Sequence, residues 1–145
     1  MTADSVVIHF WNRRGPFPPN KFKQAVQDCR KVCMSEEFED VLAGWDGLGD
    51  PIFLDNQISF NGIEDKSCET FSIENPAQAG LQSCRTDNLS YDLAVRCCLI
   101  ILRHHLPEDI EISSSSRDLN KWREAQSIVN DILELEDEFA LDAVD

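Results

Sequence analysis

The chain has 145 residues, enough for one domain with a single buried core. It is 42% hydrophobic and 28% charged, which excludes a disordered chain, and it holds no apolar run of the roughly 18 residues that a membrane helix needs. Its net charge of −14 disfavours nucleic acid and anionic membranes as partners and favours basic ones.

The charge is unevenly spread. Residues 1–33 carry a net +4, residues 34–70 a net −9 from one base and ten acids, and residues 131–145 seven acids and no base. Such runs usually face water; a docking surface for a basic partner is the sharper reading. The start, MTADSVVIHFW, lacks the basic stretch and small-residue cleavage site of a secretion signal, so a cytoplasmic location is expected. The six cysteines (29, 33, 68, 84, 97 and 98) sit mostly among apolar residues and read as reduced, buried thiols.

The run Ser5 to Trp11 is β-branched and aromatic, which predicts a strand with Val7, His9 and Trp11 on one face. The proline-rich segment 15–19 stops it. Asn20 is the expected cap of a helix reaching about Met34, buried through Phe22, Ala25, Val26, Cys29, Val32 and Cys33. Phe38, Val41, Leu42 and Trp45 form a second stripe that continues that helix or restarts it. The glycine loop 44–49 follows.

Two apolar runs, 52–54 and 57–60, flank Asp55-Asn56 and predict a tight hairpin. CETFSI (68–73) reads as another strand and residues 74–89 as a long loop. Tyr91 to His105 is apolar on most sides, which marks the central helix. DIEIS (109–113) is a strand, and Asp118 caps a last helix buried through Leu119, Trp122, Ala125, Val129, Ile132 and Leu133. Residues 136–145 read as a frayed acidic tail. The order implies an α+β domain: a mostly antiparallel sheet of four to five strands with helices packed on it, ferredoxin-like βαββαβ plus a C-terminal helix.

The segments FNG (60–62), CETF (68–71), CRT (84–86), YDLAV (91–95), RHHL (103–106) and DIEISSS (109–115) carry a resemblance. Over about Phe60 to Trp122 the chain resembles a family of small, functionally uncharacterised bacterial proteins. The resemblance implies a bacterial, cytoplasmic protein and no particular activity.

Glu69 is the first candidate for chemistry. Alternation puts it on the side of Phe71 and Ile73, where a buried carboxylate would be tuned as an acid or paired with Arg85 or Arg96. His104 and His105 end an apolar helix, where a cation is favoured by the dipole, and point about 100° apart, a poor arrangement for one metal. Tyr91 and Asp92 at a helix start, with His9 and Trp11, are binding candidates. Cys29 and Cys33 share a helix face, but no CxxC pair completes a zinc site. The Ser113–Ser116 run reads as turn and cap chemistry, with anion binding as its alternative. No metal or cofactor is expected.

These residues favour a non-catalytic interaction or regulatory module, a homodimer or other homo-oligomer, with Trp11, Phe17 and Trp45 outside the clearest core stripes. One alternative is a small-molecule binder or weakly defined enzyme built around Glu69. The other is an acidic inhibitor or immunity-type protein for a basic partner.

Overall fold

The first strand, β1 (Ile8–Arg13), starts three residues later than the sequence suggests and alternates as expected. Val7, His9, Trp11 and Arg13 are buried, Ile8 and Phe10 half-buried, and Asn12 exposed. The computed structural model describes residues 6–116 and 118–137, and the backbone of 143–144.

β1 pairs antiparallel on both edges, with β6 (Gly80–Arg85) and with β7 (Ile110–Ser114), so that Trp11 faces Gln82 on one side and Ile112 on the other. A two-residue strand, β8 (Ala143–Val144), runs parallel to β7 and completes the order β6-β1-β7-β8. The remainder of the expected frayed tail, 138–142 and 145, lies outside the described residues.

The second sheet centres on β4 (Gln57–Gly62). The predicted turn at Asp55-Asn56 joins it to β3 (Ile52–Leu54), with Leu54 opposite Gln57. β2 (Leu42–Ala43) pairs with the end of β4 at Asn61 and Gly62, and β5 (Phe71–Glu74) pairs with Gln57 to Phe60. The α+β class therefore holds, with two sheets in place of one ferredoxin-like sheet. The reason is pairing: β4 fills both edges with segments close to it in sequence, whereas β1 takes distant partners.

Three helices pack side by side. α1 (Pro19–Cys33) buries the predicted stripe, with Arg30 and Lys31 in its last turn complementing the dipole. Its cap is Pro18 rather than Asn20, and Pro19 opens the first turn, where a missing N–H is harmless. α2 (Asp92–His105) lies between α1 and α3 (Leu119–Leu133) and buries every position from Asp92 to Leu102 except Leu93. Asp118 caps α3 by accepting from Asn120 N at 3.1 Å. Leu119 is exposed rather than buried, because at the first position of α3 it precedes the packed stripe.

The Phe38–Trp45 stripe does not form an α-helix. It divides into a 3-10 turn (Glu36–Phe38), β2, and a turn at Trp45–Gly47. Asp40 and Asp46 take positive φ of 58° and 57°, the left-handed conformation that interrupts a helix and that Asp tolerates. The core runs from the helices into both sheets. Trp11 meets Phe71 edge-on at 5.2 Å, and Phe71 meets Phe60 at 5.3 Å.

Candidate functional site

The largest concentration of buried polar chemistry joins β1, β7 and the first turn of α2. His9 is 0% exposed, Ser114 2% and Asp92 3%. His9 Nε2 lies 2.7 Å from Asp92 Oδ1, and His9 Nδ1 lies 2.9 Å from Ser114 Oγ. Thr86 Oγ1 donates to Asp92 Oδ1, and Arg96 Nε donates to Asp92 Oδ2 at 2.7 Å. Ser114 Oγ accepts from the Ser116 amide at 3.1 Å.

These contacts assign the protons. Ser116 N–H donates to Ser114, whose hydroxyl donates to His9 Nδ1, and His9 Nε2–H donates to Asp92. A neutral imidazole fits. Burial lowers the pKa of His9, against the opposing hydrogen bond and charge of Asp92. Burial alone would raise Asp92, but the hydrogen bond and electrostatic pull of His9, then the charge of Arg96 and the hydrogen bond from Thr86, outweigh that and hold it down at about 2. Arg96 also sits over the Trp122 ring at 5.0 Å, and its Nη1 is buried without a hydrogen-bond partner among the described residues.

Serine, histidine and aspartate stand here in the order of a nucleophile, a base and its orienting acid. The arrangement is nevertheless closed. Ser114 and His9 are shut from solvent, and Asp92 is held by three neighbours at once. A hollow of about 200 Å³ touches Asp92 and Asn88 at the edge of the network. The group does the work of a clamp, tying α2 to the first sheet.

The other sequence candidates separate. Glu69 is exposed, not buried with Phe71 and Ile73, because β5 begins only at Phe71 and the alternation stops there. Its Oε1 accepts from the Arg85 amide at 2.7 Å, while the Arg85 guanidinium turns to Asp87 and that of Arg96 to Asp92. Tyr91 is buried, its hydroxyl against the carbonyls of Glu69 (2.7 Å) and Arg85 (3.2 Å), and burial raises its pKa. His104 pairs with Asp137 and His105 with Asp28, both at 2.6 Å, and their rings stand at 89° to one another. They lie at the end of α2 opposite Asp92, about 20 Å from it along a helix of this length, so His9 does not join them.

Two expected surface aromatics are core residues. Trp11 is 1% exposed and donates its indole N–H to Gln82 at 2.8 Å. Phe17 is 2% exposed beneath the Arg13 guanidinium, which stands 3.8 Å from its ring centroid. Arg13, Thr86, Arg96 and Ser114 escaped the sequence reading as buried residues; Arg13 is the alternation partner of Trp11 and was the one legible signal. The serine run does turn chemistry only in part: Ser114 Oγ accepts from the Ser116 amide and Ser116 Oγ from the Asp118 amide, whereas Ser113 and Ser114 belong to β7, Ser114 also joins His9, and Ser115 Oγ accepts from the distant Ile8 amide.

Among the described residues no group of three or more His, Cys, Asp or Glu is arranged to hold a metal ion. Cys29 and Cys33 face α2, where the Cys33 and Cys98 thiols share a hydrogen bond at 3.5 Å and form no disulfide.

A different feature opens to solvent. Between the end of α1 and the Asp50-Pro51 segment lies a cavity of about 470 Å³, lined by Cys33, Met34, Phe38 and Leu42 and by the carboxylates of Glu36, Glu39, Asp40 and Asp50. The loop from Leu42 to Asp50 leaves and rejoins this cavity, and Gly44 N donates to Gly49 O at 3.0 Å to close it. A Cβ on Gly44 would stand 2.6 Å from the Asp50 carbonyl oxygen, so the closure needs glycine. The loop holds Trp45 and Leu48 out at 65% and 68% exposure. No helix of the described residues is long and apolar enough to cross a membrane. No family model matches this chain, and no curated protein or solved structure is significantly similar to it.

Proposed function

We propose that this chain is a non-catalytic interaction module that docks a protein partner on the face built by residues 34–54. The observation that carries this reading is the distribution of exposed apolar side chains. Met34, Trp45, Leu48, Ile52 and Leu54 all fall in that stretch, five of the eight large exposed hydrophobic residues among those described. A concentration of this kind marks an interaction surface, whereas scattered single residues do not. Trp45, the one aromatic anchor of the three expected at an interface that remains outside the core, is the residue type that carries binding energy.

The enzyme alternative has less support. Glu69 lies on the surface, Tyr91 and Asp92 are locked by structural hydrogen bonds, and the two terminal histidines serve separate ion pairs. The homodimer expectation meets an electrostatic objection: two copies joined here would each bring the 34–70 stretch, with its net −9, to the same interface. A basic protein partner suits the face better, which aligns this reading with the inhibitor-type alternative. A reducing compartment suits a chain whose six cysteines stand unpaired.

Photo-crosslinking in cells that make the protein tests the proposal. A photoreactive phenylalanine analogue at position 48 is expected to capture a discrete protein, and the same analogue at position 111 on β7 is not. Trp45→Ala should suppress the capture. Equal capture from both positions, or none from 48, overturns it.

A further inference from the structure

We propose that the cavity at the end of α1 receives a lysine or arginine side chain from an apolar-flanked segment of a basic protein partner. The inference rests on the interaction-module reading and adds the chemistry of what is bound and where.

The floor and the rim of the cavity differ in kind. Cys33 and Phe38 are buried, and Leu42 and Met34 extend the apolar surface outward. Glu36, Glu39, Asp40 and Asp50 are exposed along the rim. None of these four carboxylates is in an ion pair among the described residues, a state they share with most surface acids of the chain; what sets them apart is that all four line one hollow. The fold thus gathers one sign of charge around a hollow of mixed apolar and polar lining.

A long basic side chain matches both parts. Its methylene stem covers apolar surface while its charged head reaches the carboxylates. A purely apolar ligand would bury the floor but bring no countercharge to the rim, and a compact cation would leave the floor wet. A second copy of the chain would meet the rim with the same negative stretch. About 470 Å³ falls within the range of pockets that enclose a small organic group. The exposed Trp45 and Leu48, on the loop that starts and ends at the cavity wall, supply a contact for the flanking apolar residues.

The test uses three synthetic ten-residue peptides alternating leucine with lysine, arginine or glutamate, titrated into the full ¹⁵N-labelled chain. The lysine and arginine peptides are expected to shift amides at 33–42 and 50–51 and the Trp45 indole signal, and the glutamate peptide is not. Glu36→Gln, Glu39→Gln, Asp40→Asn and Asp50→Asn combined should weaken binding at least 10-fold; asparagine at 40 keeps the left-handed backbone accessible. A control replacing Glu134 and Glu136 with Gln should bind within 2-fold of wild type, and thermal melts establish that both variants fold. Raising salt to 0.5 M should weaken the basic peptides. Shifts centred elsewhere, unchanged affinity in the quadruple variant, or equal binding of the glutamate peptide overturn the inference while leaving the crosslinking result to judge the module itself. Concentration-dependent shifts at these residues without peptide would also overturn it, by assigning the cavity to a second copy.

Discussion

His9 Nε2 and Asp92 Oδ1 lie 2.7 Å apart although 83 residues separate them in sequence, and both are buried. The contact fixes the first turn of α2 against β1. It also sets a pH dependence. The folded pKa of Asp92, about 2, lies below its ordinary 3.8, so its contribution is present above the unfolded value and is lost as pH falls through the folded one. That contribution is about 2 kcal/mol. His9 is also lowered from 6.5, so below that pH the unfolded chain takes up a proton that the folded protein resists, and stability falls. Both effects act in the same direction. Urea midpoints should decline gently as pH drops below about 6.5 and steeply below about 4. His9→Gln should remove the first decline and lessen the second, because His9 is the largest influence holding Asp92 down; a flat wild-type profile from pH 7.5 to 5 would reject the neutral buried imidazole.

Asp92→Asn should be among the most damaging single substitutions. It keeps the size of the side chain and leaves the Arg96 guanidinium buried without its counterion. Breaking such a pair from one side costs about 3–5 kcal/mol. Asp87→Asn, at the partly exposed Arg85 pair, should stay within about 1 kcal/mol. Comparable losses in chemical denaturation would show that the Asp92 cluster is not the clamp described.

The tryptophans should separate into two classes. Trp11→Ala removes a buried ring packed on Phe71 and bonded to Gln82, for a loss of about 3–5 kcal/mol. Trp45→Ala should change stability by less than about 0.5 kcal/mol, since its side chain is exposed. Acrylamide quenching should reach Trp45 while Trp11 and Trp122 stay shielded, and Trp45→Phe should abolish the fast component.

Thiol labelling gives an independent check on the core. Cys29, Cys33, Cys84, Cys97 and Cys98 are buried, and burial raises the pKa of each. Cys68 is half-buried and also raised. In native buffer a disulfide-exchange reagent should react slowly with Cys68 alone, faster as pH rises, and with all six after denaturation. Rapid native labelling of two or more sites would contradict the packing.

The periodic segments of this chain were readable because local pattern and tertiary burial agree in them. The α1 stripe from Phe22 to Cys33, the α2 core and the Asp55-Asn56 turn all fall where spacing and turn chemistry put them. β6 was hidden in a polar stretch read as loop. It is an edge strand with Cys84 as its one buried side chain, and it exists because β1 supplies its hydrogen bonds. Likewise Phe38 to Trp45 has helical spacing but breaks at two left-handed aspartates, a backbone choice that spacing does not report.

The candidate site followed the same division. His9 and Asp92 were nameable from their positions, one on the covered face of a strand and the other at a helix start. That they meet, and that Ser114 joins them, depends on contacts across 83 and 105 residues, while Thr86 and Arg96 reach Asp92 from only six and four residues away. Composition alone determined the acidic character of residues 34–70, and hydrophobic periodicity alone determined the three helices. Only the tertiary structure decided that Trp11 and Phe17 go inside while Trp45 stays out. All three have similar transfer free energies; what differs is whether packed neighbours are available to each ring, and that is set by segments far away in the chain.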